Sequence, residues 1–337
     1  VKDLKVEFDT YGGTVQAVRG VSYRVRRGKT LGVVGESGCG KSVTVQAILQ
    51  LIPIPPGKIT GGSAKLNGRE IIGLSPSEMN TIRGREIGVI FQDPMSSLNP
   101  TMKIGKQIAE TVKVHQNASD EEAMEKAVAL LEKTKIPEAK KRAQQYPFEF
   151  SGGMLQRAII AMSMACDPTL LVADEPTTAL DVTIQAQTLE LMHELQKDLG
   201  MSIILITHDL GVIARMAHDV AVMYAGQVVE SGPVDDIFYR SSHPYTLGLK
   251  NAFPSIKALE RELISIPGSP PSLLGDLPGC LFAFRCPFVI PECEKERPPD
   301  LEIKPGHFVH CIRTDHVEEF RKLAGDKKTW QSSMLAT

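Results

Sequence analysis

An apolar run followed by a glycine-rich turn constrains this chain more than any other stretch of its sequence. The run LGVV at residues 31–34 leads into GESGCGKS at 35–42, which fits the pattern G-x-x-x-x-G-K-[ST]. A helix-like segment follows and stops at Pro53. A strand, a glycine-rich loop and a helix in this order are the context that a phosphate-binding loop requires. The alternative on this motif alone is a glycine-rich turn without a ligand, which the order of strand, loop and helix disfavours.

Each residue type in this loop has a chemical task. Glycines let successive backbone N–H groups turn inward around an anion, and a helix N-terminus adds partial positive charge. Lys41 supplies a positive charge for the β and γ phosphates, and Ser42 supplies a hydroxyl for Mg²⁺. The residues predicted to bind ATP and Mg²⁺ here are Gly35, Ser37, Gly38, Cys39, Gly40, Lys41, Ser42 and Val43.

Two adjacent carboxylates end a second apolar run. The run LLVAD closes with Asp174, and Glu175 follows directly. An aspartate at a strand tip can hold a metal through its water shell, and a neighbouring carboxylate can polarise a water molecule. In isolation the pair would indicate only a solvated strand end. Together with the phosphate loop, it predicts a metal contact at Asp174 and a general base at Glu175.

The stretch SGGMLQR at 151–157 predicts a second anion site. Ser151 is a favourable N-cap, and Gly152 and Gly153 expose backbone N–H groups at the start of a helix. One explanation is that this tip serves a nucleotide held mainly by another subunit. Two copies facing head to tail would then bury two ATP molecules. The alternative is an ordinary capped helix.

Taken together, these motifs resemble the nucleotide-binding subunit of an ABC transporter over roughly residues 1–240. The resemblance implies a Walker A motif at GESGCGKS, a signature at SGGMLQR and a Walker B motif at LLVADEP. It also implies a D-loop in TTALDVT, a Q-loop in FQDP and a switch histidine in ITHD. The residues that it adds to the site are Tyr11, Gln92, Gln156, Asp181 and His208.

The resemblance assigns a role to several of these residues. It makes Glu175 the general base and brings His208 to the γ-phosphate. It places Gln92 on the metal or the attacking water, so that Ser42 and Gln92 are the expected Mg²⁺ contacts. Tyr11 would stack on the adenine, although Phe8 lies close enough in sequence to compete for that place.

The pattern of segments predicts an α/β fold. Apolar strands alternate with helices, which is typical of a parallel sheet covered on both faces. With the resemblance, we expect a P-loop NTPase of the ABC type with a RecA-like core, an antiparallel β subdomain and a helical subdomain at about 96–165. We expect this nucleotide-binding domain at 1–245 and a small irregular domain at 246–337, with the boundary near 245–255, because 10 of the 22 prolines lie beyond residue 250.

Three features of the chain resemble the oligopeptide and dipeptide branch of the family: the long loop FQDPMSSLNPTMKIGKQIAE, the segment SHPYT and the tail. The resemblance implies two membrane-spanning permease partners, a second ATPase that is identical or homologous, and a separate extracytoplasmic peptide-binding protein. It also implies a peripheral position on the cytoplasmic face of the cell membrane. The opening residues lack the layout of a signal peptide, and no run of 18 apolar residues occurs.

Four cysteines are concentrated in the tail, and some subunits of this branch hold a [4Fe–4S] cluster with a similar arrangement. The cysteines are Cys280, Cys286, Cys293 and Cys311. Four thiolates satisfy one cubane cluster, and Arg285 and Lys295 could offset its charge. Zn²⁺ is the rival, but structural zinc sites favour C-x₂₋₄-C pairs, and no gap here is that short. His307 and His310 lie near Cys311 and are expected to be structural.

A different function remains open on sequence grounds. An ABC ATPase could act in solution on nucleic acid or ribosomes, with the cysteine tail as the binding module. The net charge of −2 argues against nucleic acid as a partner. A non-catalytic ATP sensor is opposed by the intact Glu175 and His208.

Overall fold

The computed structural model describes residues 1–178, 180–252 and 264–332. In chain order the elements are β1 (Lys2–Thr10), β2 (Gly13–Val21), β3 (Thr30–Val34), α1 (Lys41–Ile48), β4 (Gly57–Ser63), β5 (Lys65–Leu66), β6 (Arg69–Glu70), α2 (Pro76–Ile82), β7 (Ile87–Ile90), α3 (Pro94–Ser97), α4 (Ile104–Gln116), α5 (Asp120–Lys133), α6 (Ala139–Arg142), α7 (Gly152–Ser163), β8 (Leu170–Asp174), α8 (Val182–Leu199), β9 (Ser202–Ile206), α9 (Leu210–Met216), β10 (Asp219–Tyr224), β11 (Gln227–Pro233), α10 (Val234–Tyr239), α11 (Pro244–Asn251), β12 (Leu301–Lys304), β13 (His307–Val309), α12 (Val317–Leu323) and α13 (Lys327–Ser332).

The contacts divide the chain into two compact units. The first holds Val1–Arg24, Leu31–Ile72 and His208–Thr337, and the second holds Val25–Thr30 and Gly73–Thr207. This division does not follow the predicted boundary near 245–255, because the tail groups with the phosphate loop. Part of that boundary, at 253–255, lies outside the described residues. The assignment of two domains stays a prediction.

The first unit contains the small two-stranded sheet β5-β6 and two larger sheets. One is antiparallel with the order β2-β1-β4, as expected for the opening residues. In the other, β3 pairs with β10 in parallel, and β10, β11, β13 and β12 follow as antiparallel neighbours. All five residues of β3 are buried, which explains why four of them, Leu31 to Val34, are apolar or glycine. The tail thus adds two strands beside β11.

The second unit combines a parallel sheet with helices. Its strands lie in the order β9-β8-β7. The helices α3 to α7 occupy most of the predicted helical subdomain. Helix α5 shows why the sequence is helical there: Ser119 and Glu122 form a capping box, and Ala123, Ala127, Leu130 and Leu131 bury one face. Within the described residues, no helix combines the length and apolarity needed to cross a bilayer.

A small aromatic core anchors the tail. Trp330 is 1% exposed, and its indole N–H donates to the Ala324 carbonyl oxygen at 2.9 Å. Phe320 stacks on Phe288 with ring centroids 4.3 Å apart. Short 3₁₀ turns connect these elements, so the tail is irregular, as its proline content predicts.

Candidate nucleotide-binding site

The phosphate loop connects β3 to α1, and its backbone requires glycine. Gly40 is the N-cap of α1 with a φ of 95°, and a Cβ at this position would lie 2.5 Å from the Ala17 carbonyl oxygen. Gly35 has a φ of 152°, and a Cβ there would collide with the Met223 carbonyl. A residue with a side chain therefore fits neither position. Helix α1 begins directly at Lys41, so its N-terminus faces the loop.

Lys41 lies over the loop that it is predicted to serve. Its ammonium donates to the carbonyl oxygens of Gly35 at 2.9 Å and Glu36 at 3.0 Å, and the residue is 7% exposed. Cys39 is buried beside it, and burial raises the pKa of that thiol. Among the other predicted loop residues, Ser37 and Gly38 are exposed, whereas Ser42 and Val43 are half-buried. The loop therefore combines a positive charge with exposed positions at its tip.

The structure brings Gln92 and Glu175 together across 83 residues of sequence. Gln92 Nε2 donates to Glu175 Oε2 at 3.0 Å, and Thr178 Oγ1 donates to the same oxygen at 2.9 Å. Glu175 follows β8 directly and has a φ of 48°, a left-handed conformation that costs about 1–3 kcal/mol for a residue with a side chain. Such backbone strain is concentrated at functional sites. Thr178 was not predicted, although it lies three residues after the carboxylate.

Asp174 and His208 follow the carboxyl ends of neighbouring parallel strands. Asp174 is the last residue of β8 and is 8% exposed. His208 lies two residues beyond β9, is exposed, and precedes α9. Asp209 caps that helix, since its Oδ1 accepts from the Gly211 N–H at 2.7 Å. Carboxyl ends of parallel strands are where ligands bind in α/β folds.

The predicted signature forms an exposed helix tip. Ser151 is the N-cap of α7, and its hydroxyl accepts from the Met154 N–H at 3.4 Å. Ser151 and Gly152 are exposed, and a Cβ on Gly152 would meet no atom within 4 Å. A Cβ on Gly153 would lie 2.9 Å from Ile184. Gln156 is only 1% exposed, so it lies away from the exposed tip.

Two further predicted residues lie at exposed positions. Asp181 is the N-cap of α8, with its Oδ1 accepting from the Ile184 N–H at 2.9 Å. Ala179, two residues earlier in the predicted D-loop, lies outside the described residues. Tyr11 occupies the turn between β1 and β2 and is fully exposed. The assignment of both to nucleotide binding stays a prediction.

All four tail cysteines line one cavity, together with His243 and Phe282. The Cys280 N–H donates to the Cys293 carbonyl oxygen at 2.7 Å, which holds two of the cysteine loops against each other. Burial raises the pKa of Cys280 and of Cys311 to about 11, so these thiols stay protonated at neutral pH unless a metal binds them. Across the described parts of the chain, no three His, Cys, Asp or Glu residues are spaced to hold a single metal ion.

Three polar residues near the cysteines in sequence pair with carboxylates. Arg285 forms an ion pair with Glu36 of the phosphate loop at 2.8 Å. His307 pairs with Glu230 at 2.8 Å and His310 with Asp300 at 3.1 Å. The expectation that Arg285 and Lys295 offset the charge of a cluster stays a prediction, and so does the structural role expected of the two histidines.

The fold and these motifs define an ATPase of the ABC type. The family model described as ABC transporter matches residues 18–178, and the one described as Oligopeptide/dipeptide transporter, C-terminal region matches residues 229–293. The dimeric ATP-binding cassette MJ0796, solved in a post-hydrolysis state with ADP and phosphate, is similar with a TM-score of 0.62 and 25% identity. The similarity covers 69% of this chain and 97% of that one.

Two curated relatives from Bacillus subtilis (strain 168) span nearly the whole chain. The oligopeptide transport ATP-binding protein OppD is 55% identical over 310 residues, which cover 92% of this chain and 87% of the relative. The dipeptide transport ATP-binding protein DppD is 48% identical over 328 residues, covering 97% and 98%. The chain belongs to the oligopeptide/dipeptide family of ABC transporter ATP-binding proteins.

Proposed function

We propose that this protein hydrolyses ATP to drive the import of dipeptides or oligopeptides through a membrane transporter. The observation that carries the proposal is the carboxylate of Glu175, fixed at a strand end by Gln92 and Thr178. The names of the relatives, which transport oligopeptides and dipeptides, support the cargo class. ATP binding would close a dimer of ATPase subunits, and hydrolysis would reopen it.

The proposed chemistry is an in-line displacement at the γ-phosphorus. Glu175 accepts a proton from the attacking water while the water oxygen forms a bond to the γ-phosphorus. The bond between the γ-phosphorus and the oxygen of the ADP leaving group breaks. Lys41 and the loop N–H groups hold the β and γ phosphates, while His208 donates a hydrogen bond to the γ-phosphate. Ser42, Gln92 and, through a water shell, Asp174 would hold a Mg²⁺ ion, which would supply positive charge against the phosphates. These roles rest on the family resemblance.

Ser151 and the first turn of α7 are proposed to complete the site of a second ATPase subunit. An exposed helix N-terminus binds anions, and it would meet the γ-phosphate of the nucleotide held by the partner. Tyr11, Gln156 and Asp181 are assigned to the nucleotide site by resemblance alone. The partner subunit is identical or homologous.

The proposed assembly lies at the cytoplasmic face of the cell membrane. Two permease subunits would receive the motion of the ATPase dimer, and an extracytoplasmic binding protein would select the peptide. Membership of the oligopeptide/dipeptide family supports this arrangement.

We propose a [4Fe–4S] cluster in the four-cysteine cavity. One cubane takes four thiolates, and the four cysteines line one cavity. Zn²⁺ is the rival occupant, and the absence of C-x₂₋₄-C pairs among these cysteines favours the cluster over zinc. Iron and acid-labile sulfide in anaerobically purified protein would support the cluster, whereas stoichiometric zinc without sulfide would replace it.

The function is tested with the ATPase co-purified from membranes with its permeases. Phosphate release should depend on Mg²⁺ and be stimulated by peptide with its binding protein. The Glu175→Gln variant should bind ATP, form a stable dimer and release phosphate at least about a hundredfold more slowly, as expected for loss of a general base. Normal turnover by this variant would remove Glu175 from the mechanism. Co-purification without permeases, combined with salt-dependent RNA binding, would favour the nucleic-acid alternative.

A further inference from the structure

Glu36, the second residue of the phosphate loop, is held by two residues from a distant part of the chain. Its Oε2 accepts a hydrogen bond from Arg285 Nη1 at 2.8 Å, across 249 residues of sequence. Its backbone N–H donates to the hydroxyl of Tyr245 at 2.9 Å. Arg285 is 6% exposed and Tyr245 is fully buried. Both the side chain and the backbone of this loop residue are therefore fixed from outside the loop.

The guanidinium of Arg285 is held in place by contacts with residues other than Glu36. Its Nε donates to the Pro267 carbonyl oxygen at 2.8 Å, and Nη2 donates to that of Ile266 at 3.3 Å. Its plane also lies near Tyr224, with the central carbon 5.7 Å from the ring centroid and Nη1 3.3 Å from the hydroxyl. These contacts fix the positive charge of Arg285 beside the carboxylate of Glu36.

The position of Glu36 explains why such a charge is needed. Lys41, the residue proposed to meet the phosphates, donates to the backbone carbonyl oxygen of Glu36 at 3.0 Å. A carboxylate in the loop that binds a triphosphate repels it, and partial burial makes this repulsion stronger than in water. An opposite charge in direct contact with the carboxylate cancels most of that repulsion.

We propose that Arg285 is a positioning residue for ATP binding, which neutralises and fixes Glu36 so that the phosphate loop accepts the triphosphate. The inference rests on the proposed nucleotide site at this loop. It gives a residue of the tail, which lies outside every nucleotide-binding motif of the sequence, a role in ATP binding. Arg285 acts through Glu36 and does not itself touch the nucleotide.

The test is the affinity of the full chain for a fluorescent ATP analogue with Mg²⁺, measured by titration. Arg285→Gln should weaken binding about tenfold, which is within the usual range of coupling between sites. Combining Arg285→Gln with Glu36→Gln should restore most of the affinity, because the unpaired carboxylate is then gone. Arg285→Lys keeps the charge but loses the fork of donors that holds Pro267 and Ile266, so its affinity should lie between those of Arg285→Gln and the wild type.

A purely structural role for Arg285 predicts a different result. If Arg285 matters only because it holds Ile266 and Pro267, the double variant will bind as weakly as Arg285→Gln alone. That result would overturn the proposal, and so would normal binding by Arg285→Gln. The single variant Glu36→Gln keeps the buried arginine, so it tests the proposal even if Arg285→Gln does not fold. Glu36→Gln should bind ATP at least as tightly as the wild type. Weaker binding by this variant would contradict the proposal.

Two controls separate this inference from the proposed nucleotide site. Arg297→Gln removes an exposed ion pair with Asp276 in the same tail and should leave binding unchanged. Lys41→Ala should abolish binding. If Lys41→Ala binds as well as the wild type, the nucleotide site itself is wrong. If Lys41→Ala loses binding but the Arg285 variants bind the ATP analogue like the wild type, the nucleotide site is supported and the role proposed for Arg285 is wrong.

Discussion

Gln92 and Glu175 are joined by a hydrogen bond of 3.0 Å between the Gln92 amide nitrogen and one carboxylate oxygen of Glu175. That oxygen also accepts from Thr178. The proposed general base is therefore held in place by two donors, and one of them belongs to the loop that is characteristic of the peptide-transporting branch.

Gln92→Ala should lower kcat for ATP hydrolysis by roughly 10- to 100-fold, because positioning of the base is lost while the base remains. The KM for ATP with Mg²⁺ should rise by no more than about threefold, because the phosphate loop is untouched and Gln92 is only one of the proposed Mg²⁺ contacts. Steady-state phosphate release measures both. Gln116→Ala, which removes an exposed partner of Lys126, serves as the control. A rise in KM with unchanged kcat would instead assign Gln92 to binding.

Ser151→Ala should prevent ATP-dependent dimerisation. Ser119→Ala is the matched control, because each serine caps a helix through its hydroxyl, α7 for Ser151 and α5 for Ser119. Each substitution should cost about 1 kcal/mol of stability. Only Ser151→Ala should lower the dimer fraction, measured by light scattering with ATP in the Glu175→Gln background. Equal dimerisation of the two variants would leave Ser151 with a structural role alone.

Glu230 is fully buried and accepts three hydrogen bonds. The donors are the N–H groups of Ser242 at 2.7 Å and His243 at 3.1 Å, and His307 Nε2 at 2.8 Å. Glu230→Gln places an amide N–H₂ group against one or more of these donors and should destabilise the fold by about 2–4 kcal/mol, since a buried hydrogen-bonded charge is replaced. A lower thermal midpoint and faster proteolysis of the tail are the expected readouts.

Glu302→Gln is the control for this prediction. Its carboxylate accepts from the Gly306 N–H at 2.8 Å at the surface. The thermal midpoint of this variant should stay close to that of the wild type, because water replaces a lost surface hydrogen bond. If both glutamate variants melt like the wild type, the buried site of Glu230 does not stabilise the tail.

His243 predicts how stability depends on pH. Burial, and then the nearby His310, lower the pKa of His243 to about 3, and its Nδ1 accepts from the Tyr245 N–H at 3.1 Å. Above pH 6.5 the imidazole is neutral in both states. Below it only the unfolded chain takes up the proton, so stability should fall by about 1.4 kcal/mol per pH unit towards pH 3.

The variant His243→Asn isolates this effect. Asparagine keeps a side-chain acceptor for the Tyr245 N–H but does not titrate. Thermal midpoints between pH 7 and pH 5 should therefore fall less steeply for the variant, even if its stability is lower at every pH. Parallel curves for the two proteins would show that His243 does not titrate in this range.

The sequence by itself determined the local elements and the positions of the motifs. The apolar run LGVV specifies most of β3, glycines specify the turn that follows it, and the spacing of apolar residues specifies α5. These signals are local, because backbone conformation and the periodicity of burial depend on neighbouring residues.

Only the tertiary structure decided which distant side chains meet. Arg285 contacts Glu36 and not the cysteine cluster, and the tail adds β12 and β13 beside β11. A guanidinium binds any carboxylate that packing brings within reach, so its partner is set by the folded chain and not by the residues around it. The physical reason is that charge pairing depends on distance in space, on which a one-dimensional pattern carries no information.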